Sequence, residues 1–272
     1  MAEIIPILKK EYDFEKQIKV LTDLCKEDLE SINTLILEKL DSSVPLIHDI
    51  ASYLIMSGGK RLRPLLTSAC FHLIGRNINP PYKHIGLASA VEFIHAATLL
   101  HDDVVDESKE RRGNLTANEV WGNKTSVLVG DFLFSRAFQL MTKHGNLKIL
   151  KILSDTSVVI SEGEVLELSN DKDLEINENI YFDVVNGKTA SLFSAACQIG
   201  GISAGANKNQ IDALKSFGKN LSRKCILFES KKLYENQIPS WIKTEVKELG
   251  FSIDDKSFLR LLHVHRLYLH KT

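Results

Sequence analysis

Four carboxylates interrupt an apolar segment in the run His101-Asp102-Asp103-Val104-Val105-Asp106-Glu107. If this segment is helical, Asp102 and Asp106 lie on one face, one turn apart. Like charges at that spacing cost about 0.2–0.5 kcal/mol per pair, and a divalent cation would neutralise them. Mg²⁺ suits such a pair, because it takes one or two carboxylates and keeps its other positions for water and substrate phosphates. The alternative interpretation is a solvated acidic turn at a helix end.

A basic cluster lies upstream, in Ser57-Gly58-Gly59-Lys60-Arg61-Leu62-Arg63-Pro64. The paired glycines permit a close approach of the backbone to a ligand. Pro64 disfavours a helical conformation at Arg63 and fits the first turn of a new helix. We therefore expect the cations at a helix entry, where unpaired N–H groups also favour anions. The spacing is not that of a Walker A loop, and a solvated basic turn is the alternative.

A second basic segment follows the carboxylates, in Glu110-Arg111-Arg112-Gly113-Asn114. Gly113-Asn114 predicts a turn, so the two arginines are expected on a loop next to the metal site. Thr116 and Glu119 have the spacing of a capping box, which predicts a helix N-terminus at this point.

A further lysine lies in Asn186-Gly187-Lys188-Thr189, which interrupts a helical pattern that continues through ASLFSAACQIGG. Glycine inside a helix costs about 1 kcal/mol relative to alanine, so we expect a kink or a close approach here. Such a distortion would direct Lys188 and the Thr189 hydroxyl into a cavity. Each of these motifs is weak alone, but together they predict acidic metal ligands that face several phosphate-binding cations.

The combination resembles the trans-isoprenyl diphosphate synthases, particularly the long-chain polyprenyl branch of octaprenyl or decaprenyl type. The matching segments are GGKRLRP at 58–64, EFIHAATLLHDDVVD at 92–106, ERRGN at 110–114, VLVGDFLFSRAFQLM at 127–141, EGEVLEL at 162–168 and NGKTASLF at 186–193. Their order and spacing are also similar to those of the family over about residues 1–221. The resemblance implies an all-α, isoprenoid-synthase-type helical bundle around a central cavity.

The resemblance also implies roles for single residues. The diphosphate of isopentenyl diphosphate would be bound by Lys60, Arg63, His95 and Arg112. The allylic diphosphate would be bound by Arg111, Lys188 and Thr189. Mg²⁺ would be held by Asp102 and Asp106 with Asp103 in support, so that the catalytic set is Asp102, Asp103, Asp106 and Lys188. In the implied reaction the allylic diphosphate ionises and the double bond of isopentenyl diphosphate attacks the cation, which an apolar cavity must shield from water.

Two small residues lie about one turn before the first aspartate. In the implied bundle, Ala97 and Thr98 form the floor under the growing chain, where short-product relatives have bulky aromatic residues. A small floor predicts long products of the kind used for quinone side chains, such as that of ubiquinone. The alternative is that Ala97 is simply a close contact between helices.

The C-terminal part departs from the family. Relatives carry a second aspartate-rich motif, preceded by Phe-Gln, shortly after the segment that here reads Ser216-Phe217-Gly218-Lys219-Asn220-Leu221. This chain continues as SRKCILFESKKLYENQIPSWIK, and no DDxxD follows. Residues 222–272 have a net charge of +4, against −5 for residues 1–221. We therefore interpret 1–221 as an incomplete synthase-like helical domain and 222–272 as a non-matching basic tail.

Three explanations of the tail compete. A frameshift near codon 221, which we favour, would replace the C-terminal helices of the bundle with out-of-frame residues. A divergent tail would suit a non-catalytic regulatory subunit, or pseudoenzyme partner, of a complete synthase. In the third, Asp254 and Asp255 supply Mg²⁺ ligands. Loss of the second carboxylate cluster leads us to expect impaired leaving-group activation and allylic binding in this chain.

Composition agrees with this interpretation. Helical apolar patterns cover residues near 28–40, 44–57, 64–75, 82–106, 117–143, 147–169 and 177–202, with few strand signals. The four cysteines have neither zinc-motif nor disulfide-framework spacing, which predicts a reducing, cytoplasmic location. Neither a signal peptide nor a transmembrane segment is expected, and the net charge of −1 gives no reason to invoke nucleic acid. The expected partners are isopentenyl diphosphate, an allylic prenyl diphosphate, and a second chain in a homodimer or in a heteromer with a complete synthase. A class I terpene cyclase also uses a DDxxD helix, but GGKRLRP indicates a second diphosphate substrate, for which a cyclase has no use.

Overall fold

The computed structural model describes residues 14–75, 83–170 and 178–237. Within these ranges the chain contains eleven α-helices, a π-helical turn and one small β-hairpin. The helices are α1 Phe14–Leu24, α2 Lys26–Lys39, α3 Pro45–Met56, α4 Leu62–Ile74, α5 Lys83–Val105, α6 Ala117–Trp121, α7 Asn123–His144, α8 Leu147–Ser169, α9 Glu178–Val185, α10 Ser191–Ser203 and α11 Lys208–Gln237. The π-helical turn is Asn186–Ala190, and the hairpin pairs β1 Glu110–Arg111 with β2 Asn114–Leu115. The all-α bundle predicted from the sequence is confirmed.

Helix α5 lies at the centre of the bundle. Its sequence is apolar on nearly all sides, which is typical of a helix surrounded by other helices. Leu87, Phe93, Ile94 and Leu100 are fully buried. The helix packs along α7 and also contacts α2, α4 and α10. The acidic residues at its C-terminal end are therefore fixed by the main hydrophobic core.

A second, smaller core joins α4, α10 and α11. It contains Leu66, Cys70, Phe193, Cys197 and Leu214. Helix α10 packs against both α4 and α11, so the basic residues that precede and begin α4 are held next to the C-terminal half of the described chain.

Several boundaries differ from the sequence predictions. The helix expected over 117–143 is divided at Gly122, whose φ of 85° is incompatible with a continuous helix. Helix α4 begins at Leu62, so Arg63 is helical although it precedes Pro64. The proline is tolerated there because the first four N–H groups of a helix have no intrahelical acceptor. The kink expected near Gly187 is a π-helical turn.

Helix α11 crosses the predicted boundary at residue 221 and continues to Gln237. Residues 238–272, and with them Asp254 and Asp255, lie outside the described residues. In the part of the chain that the structure describes, no helix combines the length and the apolar character that a membrane span requires.

Candidate active site

The C-terminal end of α5 carries the predicted acidic residues. Asp102 and Asp103 are buried in its last turn. Asp106 directly follows the helix, and its backbone N–H donates to the carbonyl of Asp102 at 2.7 Å. The carboxylate of Asp103, 1% exposed, accepts hydrogen bonds of 2.6–3.0 Å from Nε and Nη2 of Arg111. Asp102 and Asp106 therefore have the predicted one-turn spacing, while Asp103 positions Arg111.

The π-helical turn brings Lys188 to this acidic end. Its ammonium lies 3.3 Å from a carboxylate oxygen of Asp102, 2.7 Å from one of Glu164 and 3.0 Å from one of Glu167. The two glutamates are three residues apart on α8, so both face the same side of that helix. Lys188 thus joins the C-terminal end of α5 to the last two turns of α8.

Two glycines make this contact possible. A Cβ on Gly163 would lie 2.8 Å from the backbone nitrogen of Lys188, and one on Gly187 would lie 3.1 Å from the Cα of Gly163. The backbones of α8 and the π-helical turn therefore touch without intervening side chains. The close approach predicted at Gly187 is confirmed. Thr189 is half-buried in the same turn.

The charges at the acidic end are unbalanced. Burial raises the pKa of Asp102; Lys188 opposes this shift and Asp106 adds to it. Burial and the charge of Asp102 raise the pKa of Glu164 to about 7. Burial acts to lower the pKa of Lys188, but the three carboxylates around its ammonium outweigh burial and raise it. One ammonium thus faces more negative charge than it can neutralise.

The donor set at this end fits a divalent cation. Oε1 of Glu164 is buried without a hydrogen-bond partner among the described residues. A buried carboxylate oxygen in that state lacks the compensation that such groups normally have. Hard cations take carboxylate oxygens as ligands, and Asp102, Asp106, Glu164 and Glu167 offer them here.

The basic end is built around Arg63. Its guanidinium lies 4.6 Å from the centroid of the Phe193 ring, and its Nε is buried without a hydrogen-bond partner among the described residues. Burial lowers the pKa of Arg63 to about 10, with Glu92 opposing the shift, so the side chain remains charged at neutral pH. A half-buried guanidinium with an unused, buried N–H donor has the chemistry to bind an anion.

The neighbouring arginine, Arg61, has a different environment. Its Nη1 donates to the buried carboxylate of Glu92, and its Nη2 donates to the carbonyl of Ile55 at 2.7 Å. Arg61 has a φ of 47°, in the left-handed region, and lies just before α4 as its N-cap residue. This arginine fixes the shape of the loop that presents exposed Lys60 and half-buried Arg63.

The hairpin contributes Arg111 and Arg112. Arg112 and Gly113 have φ values of 55° and 78°, which is typical of a two-residue hairpin turn. The turn therefore lies one residue earlier than predicted, and Asn114 belongs to β2. A Cβ on Gly59 would lie 3.2 Å from Nη1 of Arg112, so the glycine loop packs directly on this guanidinium. Burial, together with the charge of Arg111, lowers the pKa of Arg112.

The predicted capping box is wrong. Thr116 is the N-cap residue of α6 but makes no side-chain capping bond. Its hydroxyl instead donates to the carbonyl of Ser108 at 2.6 Å, and Tyr53 donates to the carbonyl of Leu115 at 2.8 Å. The Thr116 hydroxyl therefore anchors the hairpin rather than capping α6.

His95 lies among the arginines. Burial lowers its pKa well below the usual value, and the charges of Arg63 and Arg112 lower it further, so the imidazole is neutral at neutral pH. His95 and Asp102 are seven residues apart on α5, which is two turns, or about 10 Å, along the same helix face. The basic and acidic ends are thus neighbours on one side of α5.

Of the proposed chain-length residues, Ala97 is fully buried in the main core, as a close contact between helices requires. Thr98 is half-buried, and its hydroxyl donates to the carbonyl of His95 at 2.8 Å. Thr98 lies four residues before Asp102 and therefore shares its helix face.

Two cavities adjoin α8: one of about 480 Å³ between α8, α10 and α11, and one of about 700 Å³ next to Phe134 of α7.

Glu164, Glu167 and the structural role of Arg61 were not predicted from the sequence. The two glutamates lie in the EGEVLEL segment, where their three-residue spacing on a helix was a usable signal. Without knowledge of which helix faces α5, however, that spacing is common on solvated surfaces.

The chain is similar in sequence to a known protein family. Residues 44–224 match the family model described as polyprenyl synthetase. The octaprenyl diphosphate synthase of Escherichia coli (strain K12) is 46% identical over 204 residues, which are 75% of this chain and 62% of that protein. The octaprenyl diphosphate synthase of Haemophilus influenzae is 41% identical over 249 residues, 92% of this chain and 74% of that protein. The latter alignment is longer than 221 residues and so includes part of the basic tail.

A solved structure agrees with these matches. It is the polyprenyl synthase from Caulobacter crescentus CB15 complexed with calcium and isoprenyl diphosphate, with 45% identity, a TM-score of 0.72, and coverage of 75% of this chain and 62% of that one. The chain thus spans about 62% of the length of the Escherichia coli relative. The family model and these relatives show that the chain belongs to the polyprenyl synthetase family.

Proposed function

We propose that this chain has the site of a prenyltransferase that condenses isopentenyl diphosphate with an allylic diphosphate into a long-chain polyprenyl diphosphate. The product class would be precursors of quinone side chains. One observation carries the proposal: a basic pocket around Arg63 and His95 lies about two helical turns from a carboxylate cluster on the same face of α5. A reaction between two diphosphates, one of which must ionise, needs these two unlike pockets side by side.

The basic pocket would bind the diphosphate that stays intact. Arg63 offers a buried, charged donor, and Arg112 and Lys60 add positive charge at the rim. The neutral imidazole of His95 can donate to a phosphate oxygen without adding charge. Such a site would hold isopentenyl diphosphate by its diphosphate, which stays attached and becomes the diphosphate of the product.

The acidic pocket would bind the diphosphate that leaves. Asp102, Asp106, Glu164 and Glu167 would hold Mg²⁺, which when bound supplies positive charge to the leaving diphosphate. Lys188 lies within 3.3 Å of three of these carboxylates, so its ammonium is placed to donate to the same leaving group. Arg111, held by Asp103, adds a donor from the hairpin side.

The test is incorporation of isopentenyl units into an allylic primer, with products identified by mass spectrometry. We expect longer polyprenyl diphosphates that require Mg²⁺ and disappear in chelator, formed slowly because this chain has no second aspartate-rich motif. Asp102→Asn should abolish them, whereas Asp49→Asn, on the exposed face of α3, is the matched control and should not. Mg²⁺-independent condensation, or full activity of Asp102→Asn, would refute the proposed site.

An alternative is favoured by the missing second aspartate-rich motif: a non-catalytic subunit of a complete synthase. Helix α7 exposes Val127, Leu128 and Phe138, an apolar surface suited to a second chain in a homodimer or heteromer. An inert purified chain that co-purifies with a complete synthase, and raises its activity, would support this alternative. Mg²⁺-dependent activity of the isolated chain would decide against it.

The division at residue 221 stays a prediction. The family match ends at residue 224, whereas one relative aligns beyond it. Translation of the DNA around codon 221 in the other two frames distinguishes the explanations. Phe-Gln followed by an aspartate-rich helix would establish a frameshift; its absence from both frames would favour the divergent subunit.

We also propose a cytoplasmic location, which fractionation of the source cells would test.

A further inference from the structure

Three potential metal ligands meet at the N-terminal end of α5, opposite to its acidic C-terminal end. Asp28 lies on α2, His72 on α4 and His84 on α5. One ligand atom from each lies within 4.8 Å of the other two. Oδ2 of Asp28 is 2.7 Å from Nε2 of His72 and 2.9 Å from Nε2 of His84. Three helices therefore present two imidazoles and one carboxylate to a common point.

This cluster is separate from the candidate active site. His84 is in the first turn of α5 and Asp102 in the last, eighteen residues or about 27 Å along the helix axis. His72 is likewise at the C-terminal end of α4, whereas Arg63 is at its start. The cluster thus closes the end of the α4–α5 pair opposite to the diphosphate pockets.

The three side chains are held in place but not sealed from solvent. The His84 side chain is 1% exposed, and its ring stacks on Phe71 with 3.7 Å between centroids. The Asp28 side chain is 16% exposed, and that of His72 is 46% exposed. A buried, oriented imidazole and carboxylate thus form the base of a site, and the more exposed imidazole leaves a route of entry for an ion.

The carboxylate is ready to act as a ligand. Oδ2 of Asp28 accepts hydrogen bonds from the Ser68 hydroxyl and from Nε2 of both histidines. The same oxygen is therefore already oriented toward the point where the two imidazoles meet. Ligand atoms around a tetrahedral zinc ion are about 3.3 Å apart; in this cluster they lie within 4.8 Å of one another, so side-chain movement alone can bring them to that spacing.

We propose that Asp28, His72 and His84 form a zinc site that clamps α2 to the α4–α5 pair. Two imidazoles and a carboxylate are a ligand set that zinc accepts with water in the fourth position. Imidazole ligands favour zinc and other transition metals over Mg²⁺, so the site differs from the acidic pocket in metal preference. On binding, each imidazole turns its Nε2 lone pair to the metal and carries its proton on Nδ1.

The competing explanation is a purely hydrogen-bonded cluster, and His72→Gln separates the two. The glutamine amide can still donate to Asp28, but it is a poor zinc ligand. The control is His48→Ala, which removes a histidine of similar exposure, also beside an aspartate, from the surface of α3. Purified, metal-stripped chain is titrated with Zn²⁺ in excess Mg²⁺, which occupies the acidic pocket, and Co²⁺ serves as the spectroscopic probe.

We expect the wild type and His48→Ala to bind one Zn²⁺ that His72→Gln does not bind. Saturating Zn²⁺ should raise the melting temperature of the first two proteins by several degrees but not that of His72→Gln. Bound Co²⁺ should show the intense d–d absorption of a tetrahedral site. Equal Zn²⁺ stoichiometry and affinity in all three proteins would overturn the proposal.

A measurement on the wild type alone guards against a variant that does not fold. Zn²⁺ should protect His72, but not His48, from modification by diethyl pyrocarbonate, as read by mass spectrometry of peptides. Equal modification of His72 with and without Zn²⁺ would refute the zinc site. This test does not depend on prenyltransferase activity.

Discussion

The most direct test of the basic pocket is Arg63→Met, which keeps the apolar stem of the side chain and removes the guanidinium. Arg63 is half-buried, and its Nε is buried without a hydrogen-bond partner among the described residues. Its favourable contact is with the ring of Phe193. If the group exists to bind a diphosphate, its removal should weaken binding without destabilising the fold.

The magnitudes follow from the contacts. Loss of the cation–π contact costs about 0.5–2 kcal/mol, while relief of an unsatisfied buried donor returns about 1–3 kcal/mol. The free energy of unfolding should therefore stay within about 1 kcal/mol of wild type, or rise. A hydrogen bond to a charged group contributes about 1.5–3 kcal/mol, so the affinity for a diphosphate should fall about 10- to 100-fold.

Arg61→Met is the matched control, because it changes the same residue type two positions earlier. It would leave the buried carboxylate of Glu92 without its ion-pair partner and the carbonyl of Ile55 without its donor. Breaking such a pair costs about 3–5 kcal/mol of stability. Urea unfolding gives the stability of each variant, and calorimetric titration with inorganic pyrophosphate or isopentenyl diphosphate gives its affinity.

The two variants should show opposite patterns. Arg63→Met is expected to lose affinity and keep stability, and Arg61→Met to lose stability with a smaller change in the affinity of the folded protein. If Arg63→Met instead loses 3 kcal/mol or more of stability and binds pyrophosphate as wild type does, Arg63 is a structural residue. The assignment of the basic pocket then fails.

Three further predictions concern other parts of the chain. Gly163→Ala should destabilise the fold by about 1–3 kcal/mol in urea unfolding, because its Cβ would lie 2.8 Å from the backbone nitrogen of Lys188; an unchanged midpoint would contradict the close approach. Hydrogen bonds outweigh burial at Asp28 and lower its pKa to about 2 from 3.8. In chelator, the contribution of this carboxylate to the free energy of unfolding is therefore fully present above about pH 4 and is lost as the pH falls through about 2. That contribution is roughly 2 kcal/mol, and Asp28→Asn should lack it. If the stability of the wild type and of Asp28→Asn changes in parallel with pH, this prediction is wrong. In an active chain, Thr98→Phe should shorten the longest product seen by chromatography, because Thr98 lies one turn below Asp102 on the same face; products of unchanged length would remove Thr98 from the chain-length floor.

The sequence predicted those parts of the site that depend on one element alone. The spacing of Asp102 and Asp106 is a property of a single helix, and the glycine at 187 disturbs a single helix. The existence of most helices follows from apolar periodicity in the same way. These local patterns were sufficient for the fold class and for the acidic end of α5.

The remaining parts depend on contacts between distant segments. Arg61 and Arg63 lie two positions apart in one basic run, and nothing in that run indicates that Arg61 pairs with Glu92 while Arg63 has an unused donor. Glu164 and Glu167 become site residues only because the π-helical turn places Lys188 beside them. The hairpin turn at Arg112 also depends on packing, since a non-glycine residue there adopts positive φ against the glycine loop.

One signal of these contacts was nevertheless present in α5. Its residues His84, Glu92, His95 and Asp102 fall within about 80° of one another around the helix axis, a polar stripe on an otherwise apolar helix. His84 meets Asp28 of α2, Glu92 binds Arg61, His95 lies among the arginines, and Asp102 binds Lys188. A polar stripe along a largely buried helix has little solvent to satisfy it, so its residues require partners from other segments. The stripe therefore marks where α2, the segment that leads into α4, and the π-helical turn must bring complementary groups. It also connects the basic pocket, the acidic pocket and the histidine cluster through one helix.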